Sequence, residues 1–166
     1  MKIFLYGFNT WDKLKGNITK DILKKIKSNK NLKKKIFEVK NNKKQFIDEI
    51  KKINPDIIIG LGMNFRGEKI RIERKAVNLK KEKKTGKLIK ISKKGKEHFF
   101  VKLKIKKQKE AWISYNARNF VCNFSMYTIS ELIENKNIKY GFIHIPKTYN
   151  VNKAIKFVKN EIQQIS

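Results

Sequence analysis

Cysteine is nearly absent: Cys122 stands alone in 166 residues. That excludes an internal disulfide and a zinc site built from several cysteines, and it points to a reducing compartment, the cytoplasm. Two prolines and eight glycines leave little material for a flexible linker, so residues 1–166 read as a single domain. No apolar run approaches the ~20 residues that a membrane span needs. The opening run Met1–Tyr6 meets Gly7 too soon for a signal peptide and reads as a strand. Acidic residues are also few, 14 against 42 basic ones, for a net charge of +28. Among the basic residues arginine is scarce, occurring only as Arg66, Arg71, Arg74 and Arg118. Readers of bases and phosphates lean on arginine forks that lysine does not reproduce. The lysines also run the whole length of the chain. The charge therefore reads as a solvated surface, with nonspecific, salt-sensitive contact to nucleic acid as its consequence rather than its purpose.

What the chain does have is a succession of apolar blocks. Lys2–Tyr6 reads as a buried strand, and Ile18–Ile26 as a helix capped by Asn17 or Thr19. Lys35–Val39 reads as a second strand, and Lys43–Ile53 as a helix that Asn54-Pro55 stops. Asp56–Gly60 carries three isoleucines in a row, the mark of a central parallel strand. This β-α-β-α-β order predicts an α/β fold, a three-layer α/β/α sandwich around a mostly parallel twisted sheet. Gly62–Glu68 reads as a loop at the strand's C-terminal end, where open α/β sheets place their sites. Farther on, Ile70–Leu79 and His98–Ile105 have extended character. Ala111–Tyr115 and Tyr140–His144 read as strands, and Phe120–Glu134 and Asn152–Ile165 as helices. Lys80–Lys109 is the most biased stretch, with Lys87–Ser92 a candidate hairpin strand.

Three side chains could carry chemistry. Cys122 lies in the first turn of a helix if Asn119 is its cap, where free N–H groups and the helix dipole lower a thiol pKa and could hold an oxyanion. His144 ends a strand just before Ile145-Pro146. Glu73, one of few carboxylates, sits in an apolar stretch and could orient His144 in a Cys–His–Glu relay. Taken singly, each has an ordinary explanation. The cysteine could be a small core residue, the histidine a strand-end residue bonded to backbone, and the glutamate an ion-pair partner of Arg74. His98 lies in a basic segment and reads as solvated.

Together with their neighbours these residues resemble the pyroglutamyl peptidase I family. Ile70-Arg71-Ile72-Glu73-Arg74-Lys75-Ala76-Val77-Asn78, after Gly62-Met63-Asn64-Phe65, is similar to the family's glutamate motif. Ser114–Asn123 resembles the cysteine motif, which ends in an aromatic, an aliphatic, Cys and Asn. Gly141-Phe142-Ile143-His144-Ile145-Pro146 resembles the histidine segment. Gly7-Phe8-Asn9-Thr10-Trp11 resembles a worn N-terminal aromatic loop. The resemblance implies a cysteine peptidase that removes N-terminal 5-oxoproline, with Cys122 as nucleophile, His144 as base and Glu73 as orienter. It implies that Phe8, Trp11 and Val121 line the lactam pocket, with Met63 and Asn64 beside them, and that Asn17 braces the aromatic loop. It implies no metal or other cofactor, pyroglutamyl peptides as partners, and homo-oligomers of the kind family members form.

The chain also departs from the family pattern. Asp12-Lys13 replaces Gly-Gly, and Arg118 replaces a glycine near the nucleophile. A Ser or Thr is missing at Arg71, and Arg66-Gly67 is a transposed pair. Lys80–Lys109 and the segment after Pro146 match poorly, and Leu79–Thr85 has no counterpart of the family's run after the glutamate motif. Two alternatives remain open on this reading: a homologue with weak or altered activity, and a lysine-rich polyanion binder with a relic site.

Overall fold

The computed structural model describes residues 1–11, 16–82 and 84–165. Strand β1 (Ile3–Phe8) leads to helix α1 (Ile18–Lys25), β2 (Leu32–Phe37), α2 (Lys43–Ile53) and β3 (Ile57–Asn64). Then come β4 (Ile70–Glu73), β5 (Lys75–Val77), β6 (Lys80–Lys81), β7 (Leu88–Ile89), β8 (His98–Phe100) and β9 (Ala111–Ser114). Helix α3 (Val121–Leu132), β10 (Lys139–Pro146) and α4 (Val151–Ile165) complete the chain. Six strands form the central sheet in the order β2-β1-β3-β10-β4-β9. All neighbours are parallel except β10 and β4. The expected mostly parallel sheet between helical layers is what the chain builds, with β4 and β9 reversed at one edge.

Period-two alternation sorts the core into two faces. Ile57, Ile59 and Leu61 of β3 join Ile143, Ile145, Ile70 and Ile72 in an aliphatic cluster that includes residues of α1 and α4. Ile58 of β3 joins Phe4, Tyr6, Phe8, Tyr140 and Phe142 in an aromatic cluster with residues of α2 and α3.

Local chemistry explains where the observed bounds differ from the expected ones. Strand β2 begins at Leu32, not Lys35, because Asn29 Oδ1 accepts from the N–H groups of both Asn31 and Leu32 (2.8 Å each) and turns the chain into the sheet early. Lysines are tolerated in this edge strand: Lys34 Nζ donates to the carbonyls of Leu23 and Ile26 at the C-terminal end of α1, where a cation is favoured. Strand β3 runs on to Asn64, since β10 pairs with it along its whole length, so the loop starts only at Phe65. Asn17 does cap α1, accepting from Thr19 N–H at 3.0 Å. Asn54 closes α2 in the left-handed conformation (φ 47°) ahead of Pro55. The 80–109 stretch forms one small antiparallel ladder, β6–β7, and supplies β8, which pairs antiparallel with β5. Asn78 braces it, donating to the Ser92 carbonyl and accepting from Ile91 and Ser92 N–H.

Candidate active site

Glu73 and His144 come together because β4 lies antiparallel beside β10, with Glu73 opposite Phe142 and Arg71 opposite His144. Ile70 and Ile72 turn to the aliphatic face, so alternation sends Arg71 and Glu73 to the aromatic one. His144 shares that face, between Ile143 and Ile145. Glu73 is fully buried, and its Oε1 lies 2.7 Å from His144 Nδ1. An ionised carboxylate only accepts, so Nδ1–H donates and Nε2 is left as the ring's acceptor. Burial alone would raise the Glu73 carboxyl. The hydrogen bond and charge of His144, with smaller help from Ser114 and Arg71, outweigh it and hold the group below the ordinary carboxylate range. Arg74 is not the partner the sequence suggested: it donates to the carbonyls of Leu103 (3.0 Å) and Ile105 (2.5 Å). The cation beside Glu73 is Arg71, whose Nε is 3.7 Å from Oε1.

Cys122 is the second residue of α3, as expected, although the helix cap is Phe120 rather than Asn119 and makes no side-chain bond. The N–H groups of Val121, Cys122 and Asn123 precede the first bond of the helix, from Phe124 N–H to the Phe120 carbonyl (3.0 Å). Gly62 shows where the sulfur lies. A Cβ on that glycine would sit 2.8 Å from Cys122 Sγ and equally 2.8 Å from His144 Cδ2, the ring carbon bonded to Nε2. Sulfur and imidazole thus face one small space that only a glycine leaves open. Among the described residues no hydrogen bond yet joins them. Burial pushes the thiol up to about 12, with the Glu73 charge raising it and Arg71 lowering it. The helix-terminus effect expected from sequence runs against this upward push.

Arg118 takes the left-handed conformation that a glycine would supply (φ 60°), and its side chain is exposed rather than in the pocket. Its N–H donates to Asn116 Oδ1 at 3.0 Å, which supports the turn. The backbone thus keeps, with arginine at this position, the turn that a glycine would supply.

The residues expected in the lactam pocket divide. Phe8 is buried in the aromatic core, edge-on to Tyr6 and Phe46. Trp11 is 51% exposed beyond β1; Asp12-Lys13 lie outside the described residues. Asn17 Nδ2 donates to the Asn9 carbonyl at 3.0 Å, bracing the loop that carries Trp11. Asn64 ends β3 on the site's face, its amide bonded to the Arg66 carbonyl and N–H. Val121 packs against the aromatic core at the head of α3. Met63 is a correction. It packs on the aliphatic cluster, because alternation along β3 turns it to the opposite face from Gly62 and Asn64. His98 is exposed, as its basic surroundings suggested.

Sequence reasoning assigned no role to Gly62 or Asn123, which hold the site's geometry. Asn123 Nδ2 donates to the carbonyls of Val77 (2.9 Å) and Leu79 (2.8 Å), and its Oδ1 accepts from Val77 N–H (2.9 Å). It ties the head of α3 to β5. Its place directly after the cysteine was the available signal. Among the described residues no group of three His, Cys, Asp or Glu side chains is placed to hold a metal ion, and no helix is long and apolar enough to cross a membrane.

A carboxylate–imidazole pair beside a helix-start thiol defines the cysteine-hydrolase class. Comparison with known proteins narrows it. The family model for pyroglutamyl peptidase matches residues 1–159, well past Pro146, where the sequence resemblance was weak. A pyrrolidone-carboxylate peptidase of Brachyspira hyodysenteriae is 32% identical over 88% of this chain and 83% of its own. One from Clostridium perfringens is 32% identical over 88% and 78%. A pyrrolidone carboxyl peptidase structure from Pyrococcus furiosus superposes with a TM-score of 0.83 at 23% identity, covering 98% of this chain and 97% of that one. The pyroglutamyl peptidase I of Bacillus amyloliquefaciens gives 0.79 at 26% identity, covering 95% and 91%. The chain belongs to the pyroglutamyl peptidase family of cysteine peptidases.

Proposed function

We propose that this protein hydrolyses the amide bond after an N-terminal 5-oxoproline, with Cys122, His144 and Glu73 as its reacting and orienting groups. The observation that carries the reading is the 2.7 Å His144–Glu73 bond together with the shared space at Gly62 that sulfur and ring both face. The segments after β1 and β3 and the head of α3 supply Trp11, Asn64 and Val121, with Phe8 behind them in the aromatic core, for a neutral lactam, which needs apolar walls and an amide partner more than a charge.

With burial raising the thiol, attack and proton transfer occur together. Sγ adds to the carbonyl carbon while its proton passes to His144 Nε2; catalytic hydrogen bonds of free enzymes tighten when substrate arrives. The N–H groups at the start of α3 face the developing oxyanion. The C–N bond then breaks, and the imidazolium returns its proton to the leaving amine. Water, deprotonated by Nε2, attacks the thioester, releasing 5-oxoproline and the Sγ–H. Glu73 keeps Nδ1 protonated throughout and stabilises the imidazolium. The lone reduced cysteine as nucleophile suits a cytoplasmic enzyme.

The test is turnover of a fluorogenic pyroglutamyl amide. Wild type should release the fluorophore under reducing conditions, and Cys122→Ala should fall by about 10⁴-fold or more. Equal turnover by the two proteins, or none by wild type at high enzyme concentration, would overturn the reading.

A further inference from the structure

The chain puts lysine nearly everywhere, yet its four arginines fall in the β3–β4 loop, β4 and its end, and the β9–α3 loop, around the site. Arg74 is used up by backbone carbonyls. Arg71 is not. Its side chain is only 15% exposed, its buried Nε has no hydrogen-bond acceptor, and it makes no hydrogen bond among the described residues. Its one ion-pair partner, Glu73, is already held by His144. A largely desolvated guanidinium with unused donors is an unusual thing to keep beside a nucleophile.

Its position in the sheet says which part of a substrate it meets. β10 separates the two sides of the site. Of the residues for the lactam, Phe8, Trp11 and Asn64 lie at or just beyond the ends of β1 and β3, on one side of His144. Arg71 lies on the other side, directly across from His144 on β4. Next to it in register on β9 is Trp112, 53% exposed. Since the scissile bond sits at His144 and Cys122, the group leaving from it extends over Arg71 towards Trp112.

We infer that Arg71 is a specificity residue that receives a carboxylate from the leaving portion of the substrate, so that the protein favours pyroglutamyl peptides carrying an acid just after the scissile bond. The carboxylate is either an acidic side chain on the second residue or the free C-terminus of a dipeptide. Guanidinium matches either by paired N–H···O bonds. The inference rests on the peptidase reading above.

The experiment uses the non-hydrolysing Cys122→Ala protein and calorimetric titration, so binding is read without turnover. The ligands are pyroglutamyl-glutamate amide, its neutral isostere pyroglutamyl-glutamine amide, and pyroglutamyl-glutamine with a free C-terminus. One or both acids should bind about tenfold more tightly than the neutral amide, and which of them does so identifies the source of the carboxylate. Adding Arg71→Met should erase the difference, while Arg71→Lys should keep part of it. Equal affinities for all three ligands overturn the inference and leave the peptidase reading standing. A preference that survives Arg71→Met belongs to the lysine surface and also overturns it. If no pyroglutamyl ligand binds, both readings fall.

Discussion

The two faces of the central sheet differ in kind. One is built mostly of isoleucine, leucine and valine, with Phe157 the one aromatic ring among its buried described residues and Tyr149 packed at its margin. The other is crowded with aromatic rings and carries buried polar bonds: Tyr6 Oη to Tyr140 Oη at 2.7 Å, Asn123 to β5, and His144 to Glu73. Aliphatic side chains fill space with no polar atom to satisfy, and that face holds the helices α1 and α4, with the buried Glu161 of α4 taken up by Gln108. Rings such as Phe142, 5.1 Å from and edge-on to His144, give a dry, stiff surround in which a carboxylate and an imidazole act strongly on each other. The difference teaches that one sheet separates its tasks by residue parity: odd positions of β3 and β10 stabilise, and even positions react.

The largest expected break of this contrast is Glu73→Gln. The amide can no longer fix the Nδ1–H tautomer, so kcat should fall by about 10⁴-fold, while circular dichroism stays that of the folded protein. A smaller pair of changes tests parity itself. Ile59→Ala, on the aliphatic face, should cost about 2–5 kcal/mol in denaturant unfolding yet leave kcat/KM of the folded protein unchanged. Gly62→Ala, three positions on and across the sheet, should cost about 1–3 kcal/mol through overpacking. Because its Cβ would meet Sγ and the ring at 2.8 Å, it should also lower kcat by about 100-fold. A loss of kcat in Ile59→Ala equal to that in Gly62→Ala would erase the distinction between the faces.

The smallest effect sharpens the electrostatics of the reactive face. Alkylation of Cys122 by iodoacetamide follows its thiolate fraction. A thiol pushed up to about 12 by burial has little thiolate at neutral pH and gains it steadily as pH rises. The rate should therefore keep climbing about tenfold per pH unit past the ordinary thiol value of about 8.5. A plateau near that value or below it would show that the helix start and Arg71 outweigh burial.

Much of this was readable from the chain, because the strongest signals are local. The run Ile57-Ile58-Ile59 marks a strand buried on both faces, and Asn17 ahead of Ile18 marks a helix start. Glu73, Cys122 and His144 stood in recognisable company and do come to one rim. What the sequence hid depends on pairing between distant segments. The extension of β3 to Asn64 follows from β10, some 80 residues away. Met63 was placed with the pocket by family resemblance, and its side of the sheet is fixed only once the strand's end is known. Arg74 looked like Glu73's partner by adjacency, but neighbouring strand residues point to opposite faces, and Arg71, two positions back, shares Glu73's side. The thiol's upward shift comes from its burial against the aromatic cluster, which no local motif encodes.

The most direct test is to trap Cys122 with a pyroglutamyl chloromethyl ketone and locate the adduct by peptide mass spectrometry, in wild type and in His144→Ala. The account predicts a single adduct on Cys122 in wild type, suppressed by free pyroglutamyl amide and strongly slowed when the imidazole is removed. Labelling that is equally fast without His144, or that competing pyroglutamyl amide does not suppress, would contradict it.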